Sequence, residues 1–268
     1  MTIAPVIPPA GLGTWDLRGK DCVRAVHEAL ELGYRHVDTA QMYENEREVG
    51  RGLRDSRVPR DEVFLTTKLW IDSLTRKAVP KATEECLKRL ATEYVDLLLI
   101  HWPVADVSLS ETLGAMTRLL ESGRTRNVGV SNFTLPLWRQ ALELAPAGVN
   151  QIEFHPFLDQ ESLVRFARER DLRIVAYTPL AKGRVTREPS IVEIARIHGR
   201  TPAQVTLRWL IQHPGVAVIP KASRREHLRE NLGIFDFELG SSEMRTLSSL
   251  GRNLRLVDPG WAPDWSAR

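Results

Sequence analysis

Eight short apolar runs, at positions 11–14, 36–40, 63–69, 95–101, 127–131, 149–153, 174–179 and 216–221, alternate along the chain with stretches of helix length. Few folds accommodate that alternation. Most of the runs are continuously apolar rather than apolar at every second residue, the pattern of parallel strands covered on both faces. The stretches between them carry helix signals. Val23, Val26 and Leu30 recur at helical spacing over 21–32, and Gly33 follows where a left-handed cap is wanted. Val79, Ala82, Cys86 and Leu90 stripe the next long segment. Ser108 with Glu111, and Thr201 with Gln204, have capping-box spacing, and Pro202 stands at a first helical position. Together these signals predict an α/β fold of the (β/α)8, or TIM-barrel, kind. Two helices, 190–198 and 202–212, precede the last run, so one repeat carries an extra helix. A further C-terminal helix, 242–250, and a tail rich in Pro and Trp follow it.

A chain of 268 residues, 43% hydrophobic, is long enough to bury one large core. No composition shift or low-complexity linker divides it, which predicts a single domain over 1–268. The net charge of +3 is small and dispersed apart from a basic cluster at 221–229, so no nucleic-acid partner is expected. Cys22 and Cys86 form neither a CxxC nor a metal spacing, and read as reduced, packed thiols of a cytoplasmic protein. The N-terminus lacks a basic leader segment, and no apolar run approaches ~18 residues, which predicts neither a signal peptide nor a membrane partner. His27, His36, His101, His155, His198, His213 and His227 make no HxH at the end of a run and no HExxH. That argues against a metal-dependent hydrolase, and no metal is expected.

In such a barrel, functional residues gather at the carboxyl ends of the strands. Asp38, Lys68 and His101 fall at or near the ends of the second, third and fourth runs, while Tyr43 opens the polar segment just after the second. A phenol is a reluctant acid at neutral pH, because its ordinary pKa lies near 10. An ammonium beside it favours the phenolate and makes the phenol a better donor, and a carboxylate beside the ammonium holds that group in place. Asp38, Lys68 and Tyr43 supply this set, and His101 is suited to orienting a carbonyl by hydrogen bonding. Taken singly, each has an ordinary structural reading as cap, solvated cation or backbone partner. Convergence at one mouth is what favours the functional one.

The segments HVDTAQMYENEREVG, TTKLW, LLLIHWP, GVSNF, NQIEFHP and IPK, in this order, resemble the aldo-keto reductase family, and the likeness runs from GLGTW to DPGWAPDW. It implies NADPH-dependent reduction of aldehydes and ketones on a barrel without a Rossmann domain. It also matches Asp38, Tyr43, Lys68 and His101 to the family's catalytic tetrad, with Tyr43 as general acid. A monomer is the family's common form.

Hydride transfer needs a flat, shielded berth for nicotinamide. Tyr177 is suited to stack on that ring, and Ser131, Asn132 and Gln151 to bond its carboxamide, as the family pattern also implies. Pro179 and Leu180 complete this part of the cofactor set. Thr14 and Trp15 are expected to line the site, since GLGTWD lacks the third glycine of a dinucleotide fingerprint. Ser223 and Glu226 have capping-box spacing after the last strand, so a helix start there is expected to direct its amides at an anion, with Lys221 suited to a 2′-phosphate. The resemblance extends to Glu230 and Asn231 on the adenine side, with two departures: Ala222 stands where the family commonly has serine, and His227 where it has arginine. Losing the arginine predicts a narrowed preference for NADPH, with NADH usable. Trp15, Trp70 and Trp102 are candidate walls of the substrate pocket, with Trp261 and Trp265 near its rim. Short stretches after His101 and Leu180 predict an open mouth for small polar carbonyls such as methylglyoxal or keto-sugar acids, and Lys182 is suited to a substrate or pyrophosphate anion. The competing class, a cofactor-binding regulatory protein on the same barrel, is disfavoured by the intact tetrad.

Overall fold

A computed structural model describes residues 4–266. The eight strands are β1 (Leu12–Gly13), β2 (His36–Asp38), β3 (Phe64–Leu69), β4 (Leu97–Ile100), β5 (Val128–Ser131), β6 (Val149–Glu153), β7 (Arg173–Tyr177) and β8 (Val216–Val218). Helices α1 (Gly19–Glu31), α2 (Glu46–Asp55), α3 (Ala78–Leu90), α4 (Leu109–Glu121), α5 (Leu135–Leu144) and α6 (Glu161–Glu169) follow the first six strands in turn. Two helices, α7 (Pro189–His198) and α8 (Pro202–Ile211), lie between β7 and β8, and α9 (Arg225–Leu232) and α10 (Ser241–Ser248) come last.

The strands pair in chain order, all parallel. The last strand then meets the approach to the first: Gly11 N donates to Val218 O at 2.8 Å, and Val218 N to Pro9 O at 2.8 Å. These bonds close the sheet on itself and leave no free edge.

Continuous apolar runs are explained by two separate cores. Leu97, Leu99, Val149, Val175, Ala217 and Ile219 fill the barrel interior, whereas Leu98, Ile100, Ile152, Ile174, Ala176 and Val218 face the helices. Side chains alternate across a strand, so β4 needs Leu at successive positions to satisfy both layers. The same period places Lys68 on the interior side of β3, in phase with Phe64, while Thr67 faces α2 and bonds Glu46 at 2.6 Å. Most strands are shorter than their runs because the terminal residues of those runs already turn into loops, whereas β6 spans its run in full.

The helix signals fare unevenly. Thr201 and Gln204 form both halves of a capping box, but Ser108 only accepts from Glu111 N, with no return bond. Gly33 takes its left-handed conformation (φ 105°) just past α1. Tyr43 closes a short 3-10 turn, Gln41–Tyr43, and α2 begins only at Glu46. After β8 the expected cap at Ser223 does not form. Arg224 is extended (φ −110°, ψ 136°), which removes Ser223 from reach of the first turn, and α9 starts at Arg225 with no side chain on its end. Among the described residues, no helix is long and apolar enough to cross a membrane.

Candidate active site

Three strand ends and one loop bring Asp38, Lys68, His101 and Tyr43 together at the mouth of the barrel. Lys68 is fully buried, and its ammonium has three partners: Asp38 Oδ1 at 2.5 Å, Thr39 O at 2.9 Å and Tyr43 Oη at 3.2 Å. An ammonium has three hydrogens, so all are spent. Tyr43 therefore accepts from Lys68, and its own proton meets no acceptor among the described residues. The other Asp38 oxygen accepts from Gln151 Nε2 at 2.7 Å, which fixes the carboxylate.

The direction of the phenol's shift differs from the sequence expectation. Burial pushes Tyr43 above its ordinary value, and Lys68 draws it back only in part, because Asp38 opposes the ammonium. The phenol stays protonated, and the ammonium is placed to stabilise the phenolate once the proton has gone. Lys68 itself sits above its ordinary value: burial lowers it, but Asp38 and Tyr43 more than offset that. His101 is held well below the usual histidine range by burial and then by Lys68, so its imidazole is neutral. Its ring meets Tyr43 edge-on at 5.7 Å, and its buried Nδ1 has no partner among the described residues.

The supporting bonds come from residues that carried no sequence signal of their own. Thr39 donates to Asn45 Oδ1 at 2.8 Å, Asn45 Nδ2 bonds the carbonyls of Thr14 and Leu17, and the Arg18 guanidinium bonds the Tyr43 carbonyl. Thr14 is fully buried and spends its hydroxyl on Asp38 O at 2.9 Å, which makes it a brace for β2 rather than a wall of the cleft.

Trp15 is half-exposed and meets Tyr43 edge-on at 4.9 Å. Trp70 lies 5.1 Å from His101, held by Gln41 Oε1 on its backbone N–H. The tail returns to this wall: Trp261 packs on Trp70 at 5.7 Å and on the buried Trp102 at 5.1 Å, and Trp265 reaches Trp102 at 6.1 Å.

Beside the cleft, Tyr177 Oη donates to Asn132 Oδ1 at 2.7 Å, and Asn132 Nδ2 donates to His101 O and Ser131 Oγ. Ser131 Oγ donates to Gln151 O at 2.9 Å. Ser131, Asn132 and Gln151 thus spend several groups on one another and on Asp38, where the sequence suggested groups free for a ligand. Pro179 is buried and Leu180 partly so, leading into a kink with left-handed Ala181 and Lys182. Lys182 is exposed and donates one hydrogen bond to Leu256 O at 3.2 Å.

On the far side, Lys221 lies 3.5 Å from Asp16, Ser223 is exposed, and Asn231 is buried on α9. Arg224 donates to His227 Nε2 at 2.7 Å, so the His227 proton sits on Nδ1, facing Glu230 at 3.4 Å.

Comparison with known proteins follows the same outline. The model of the Aldo/keto reductase family matches residues 9–252. Methylglyoxal reductase DkgB of Escherichia coli O157:H7 is 41% identical over 265 residues, covering 97% of this chain and 99% of that protein. The 9,11-endoperoxide prostaglandin H2 reductase of Trypanosoma cruzi is 39% identical, with 96% and 92% covered. Among solved structures, a provisionally assigned 2,5-diketo-D-gluconic acid reductase B superposes with a TM-score of 0.94 at 42% identity, covering 97% of this chain and 94% of its own. The aldose reductase of Schistosoma japonicum gives 0.90 at 36% identity, with 94% and 91% covered.

Proposed function

Since the chain belongs to the aldo/keto reductase family and is an NAD(P)H-dependent oxidoreductase, we propose that it reduces small polar aldehydes and ketones to alcohols, with NADPH as preferred reductant and Tyr43 as proton donor. One observation carries this reading. The buried Lys68 ammonium spends its three hydrogens on Asp38, Thr39 and Tyr43, leaving the phenol proton without an acceptor among the described residues and so available to a substrate oxygen.

When bound, the nicotinamide supplies hydride to the carbonyl carbon. The chain's own residues deal with the oxygen. Neutral His101 orients the carbonyl, Tyr43 gives up its proton, and Lys68 meets the resulting phenolate with a charge already in place. Asp38, held by Gln151 and Lys68, keeps that ammonium aimed. The wall of Trp15, Trp70 and Trp102 limits water around the reacting oxygen and suits short substrates; the names of two relatives favour methylglyoxal and keto-sugar acids as first trials.

The residues present fit a phosphorylated dinucleotide. The Lys221 ammonium, the Arg224 guanidinium and first-turn amides of α9 that no side chain caps form one donor set after β8, suited to a 2′-phosphate. The flat Tyr177 ring, fixed by Asn132, suits a nicotinamide face. Because Arg224 is engaged with His227 Nε2, Lys221 carries most of the phosphate selectivity. Lys221→Ala should therefore raise the Kd for NADPH by roughly 10–100-fold, as for the loss of one charge-assisted bond, and leave NADH almost untouched. Equal losses for both nucleotides in a binding titration would remove Lys221 from that role. The function itself is tested by following NADPH oxidation with methylglyoxal, and an enzyme inert toward a panel of small aldehydes would contradict it.

A further inference from the structure

Glu153 ends β6 at the mouth, fully buried, and the proposed chemistry makes no use of it. Its carboxylate takes three donors. Oε1 accepts from His155 Nε2 at 2.9 Å and from Leu256 N at 2.7 Å, and Oε2 accepts from Val257 N at 2.9 Å. Phe157 N donates to His155 Nδ1 at 3.3 Å, so the imidazole proton lies on Nε2 and points at Glu153. The other two donors belong to the C-terminal tail, separated from Glu153 by 103 and 104 positions. Lys182 binds the carbonyl of Leu256, Leu254 N bonds Phe157 O at 3.0 Å, and Arg252 pairs with Glu188. Beyond these ties the chain brings Trp261 against Trp70 and Trp102, and Trp70 lies against His101. A segment without regular structure has no ladder to set its path. A buried carboxylate that accepts two consecutive backbone N–H groups sets it instead, with bonds stronger than those between neutral groups.

We propose that Glu153 is a positioning residue for carbonyl recognition: through Leu256 and Val257 it straps the tail so that Trp261 completes the pocket wall over Trp70 and His101. This rests on the reductase reading above. The strap acts on the wall and leaves the proton donor alone, so its loss falls on KM rather than on kcat.

The test uses the full chain with NADPH and methylglyoxal as probe. Glu153→Gln replaces one carboxylate oxygen with an NH2 group, which cannot accept from the tail. The KM for methylglyoxal should rise about tenfold, the effect of one or two such bonds, with kcat and NADPH affinity near wild type and tryptophan emission shifted toward that of solvated indole. Val257→Pro deletes one of the donors from the tail side and should raise KM in the same way. Because both changes cut one strap, the double variant should add little to the larger single effect. A fall in kcat with KM unchanged, or KM effects that multiply in the double variant, would overturn the proposal. Should Glu153→Gln fail to fold, Val257→Pro decides: a raised KM supports the strap and an unchanged KM overturns it. Wild-type protein that leaves NADPH unconsumed overturns the reductase reading and this proposal together. Wild-type turnover with KM unaltered in both variants overturns the strap alone.

Discussion

Tyr43→Phe lowers the rate of methylglyoxal reduction by about 10²–10⁴-fold, the range for loss of a general acid, and leaves NADPH affinity unchanged. The substitution removes one oxygen and keeps the ring, so the edge contacts with Trp15 and His101 persist. Lys68 loses one of three partners, and an unsatisfied buried donor costs about 1–3 kcal/mol, a modest fall in thermal stability. Steady-state kinetics beside a cofactor titration separates the outcomes. Substantial turnover in a folded, NADPH-binding variant would show that the proton comes from elsewhere.

Lys68→Met is the second large effect, and it combines two losses. Methionine fills the interior position but carries no charge, so the Asp38 carboxylate stays buried with Gln151 as its remaining side-chain partner. Breaking a buried ion pair by removing one partner destabilises by about 3–5 kcal/mol, which calorimetry or denaturant unfolding measures. Activity falls as well, because the phenolate left after proton donation then meets no positive charge. Since Tyr43 and Lys68 act as a unit, the double variant with Tyr43→Phe should be little slower than the worse single variant. Full additivity of the two rate effects would mean that the groups work separately.

Much of this site stands out in the sequence because a charged residue ending a buried strand is conspicuous. Asp38 and Lys68 each carry a charge at or near the end of a buried strand, and a parallel strand covered on both faces leaves such residues only its ends. The barrel was legible for the same reason, since two cores demand runs such as Leu97–Ile100 that are apolar at every position. The direction of the Tyr43 shift was not legible. It depends on how dry the pocket is and on how Asp38 divides the ammonium's charge, and both are properties of the assembled mouth. Local spacing also misled at Ser223, where the extended backbone of Arg224 overrides a capping pattern that reads well on paper. Glu153 carries the same mark as Asp38, an acid closing a buried strand, yet its partners lie 103 and 104 positions downstream in the tail, and no local pattern connects them. Thr14 shows the related limit: residue type suggests a ligand contact, and the fold spends its buried hydroxyl on the Asp38 carbonyl instead.

The central claim is that a phenol, rather than an imidazole, gives up the proton. A donor must hold its proton at the working pH. Tyr43 is raised above 10.0 by burial despite Lys68, and so keeps its proton through neutral and mildly alkaline pH. His101 is depressed well below 6.5 by burial and Lys68, so an imidazolium donor would be exhausted before neutrality. The most direct test is the single-turnover rate of NADPH oxidation by methylglyoxal as a function of pH. With Tyr43 as donor the rate stays level through neutral and mildly alkaline pH and falls only in the strongly alkaline range; a rate that declines steadily as pH rises through neutrality would contradict the assignment.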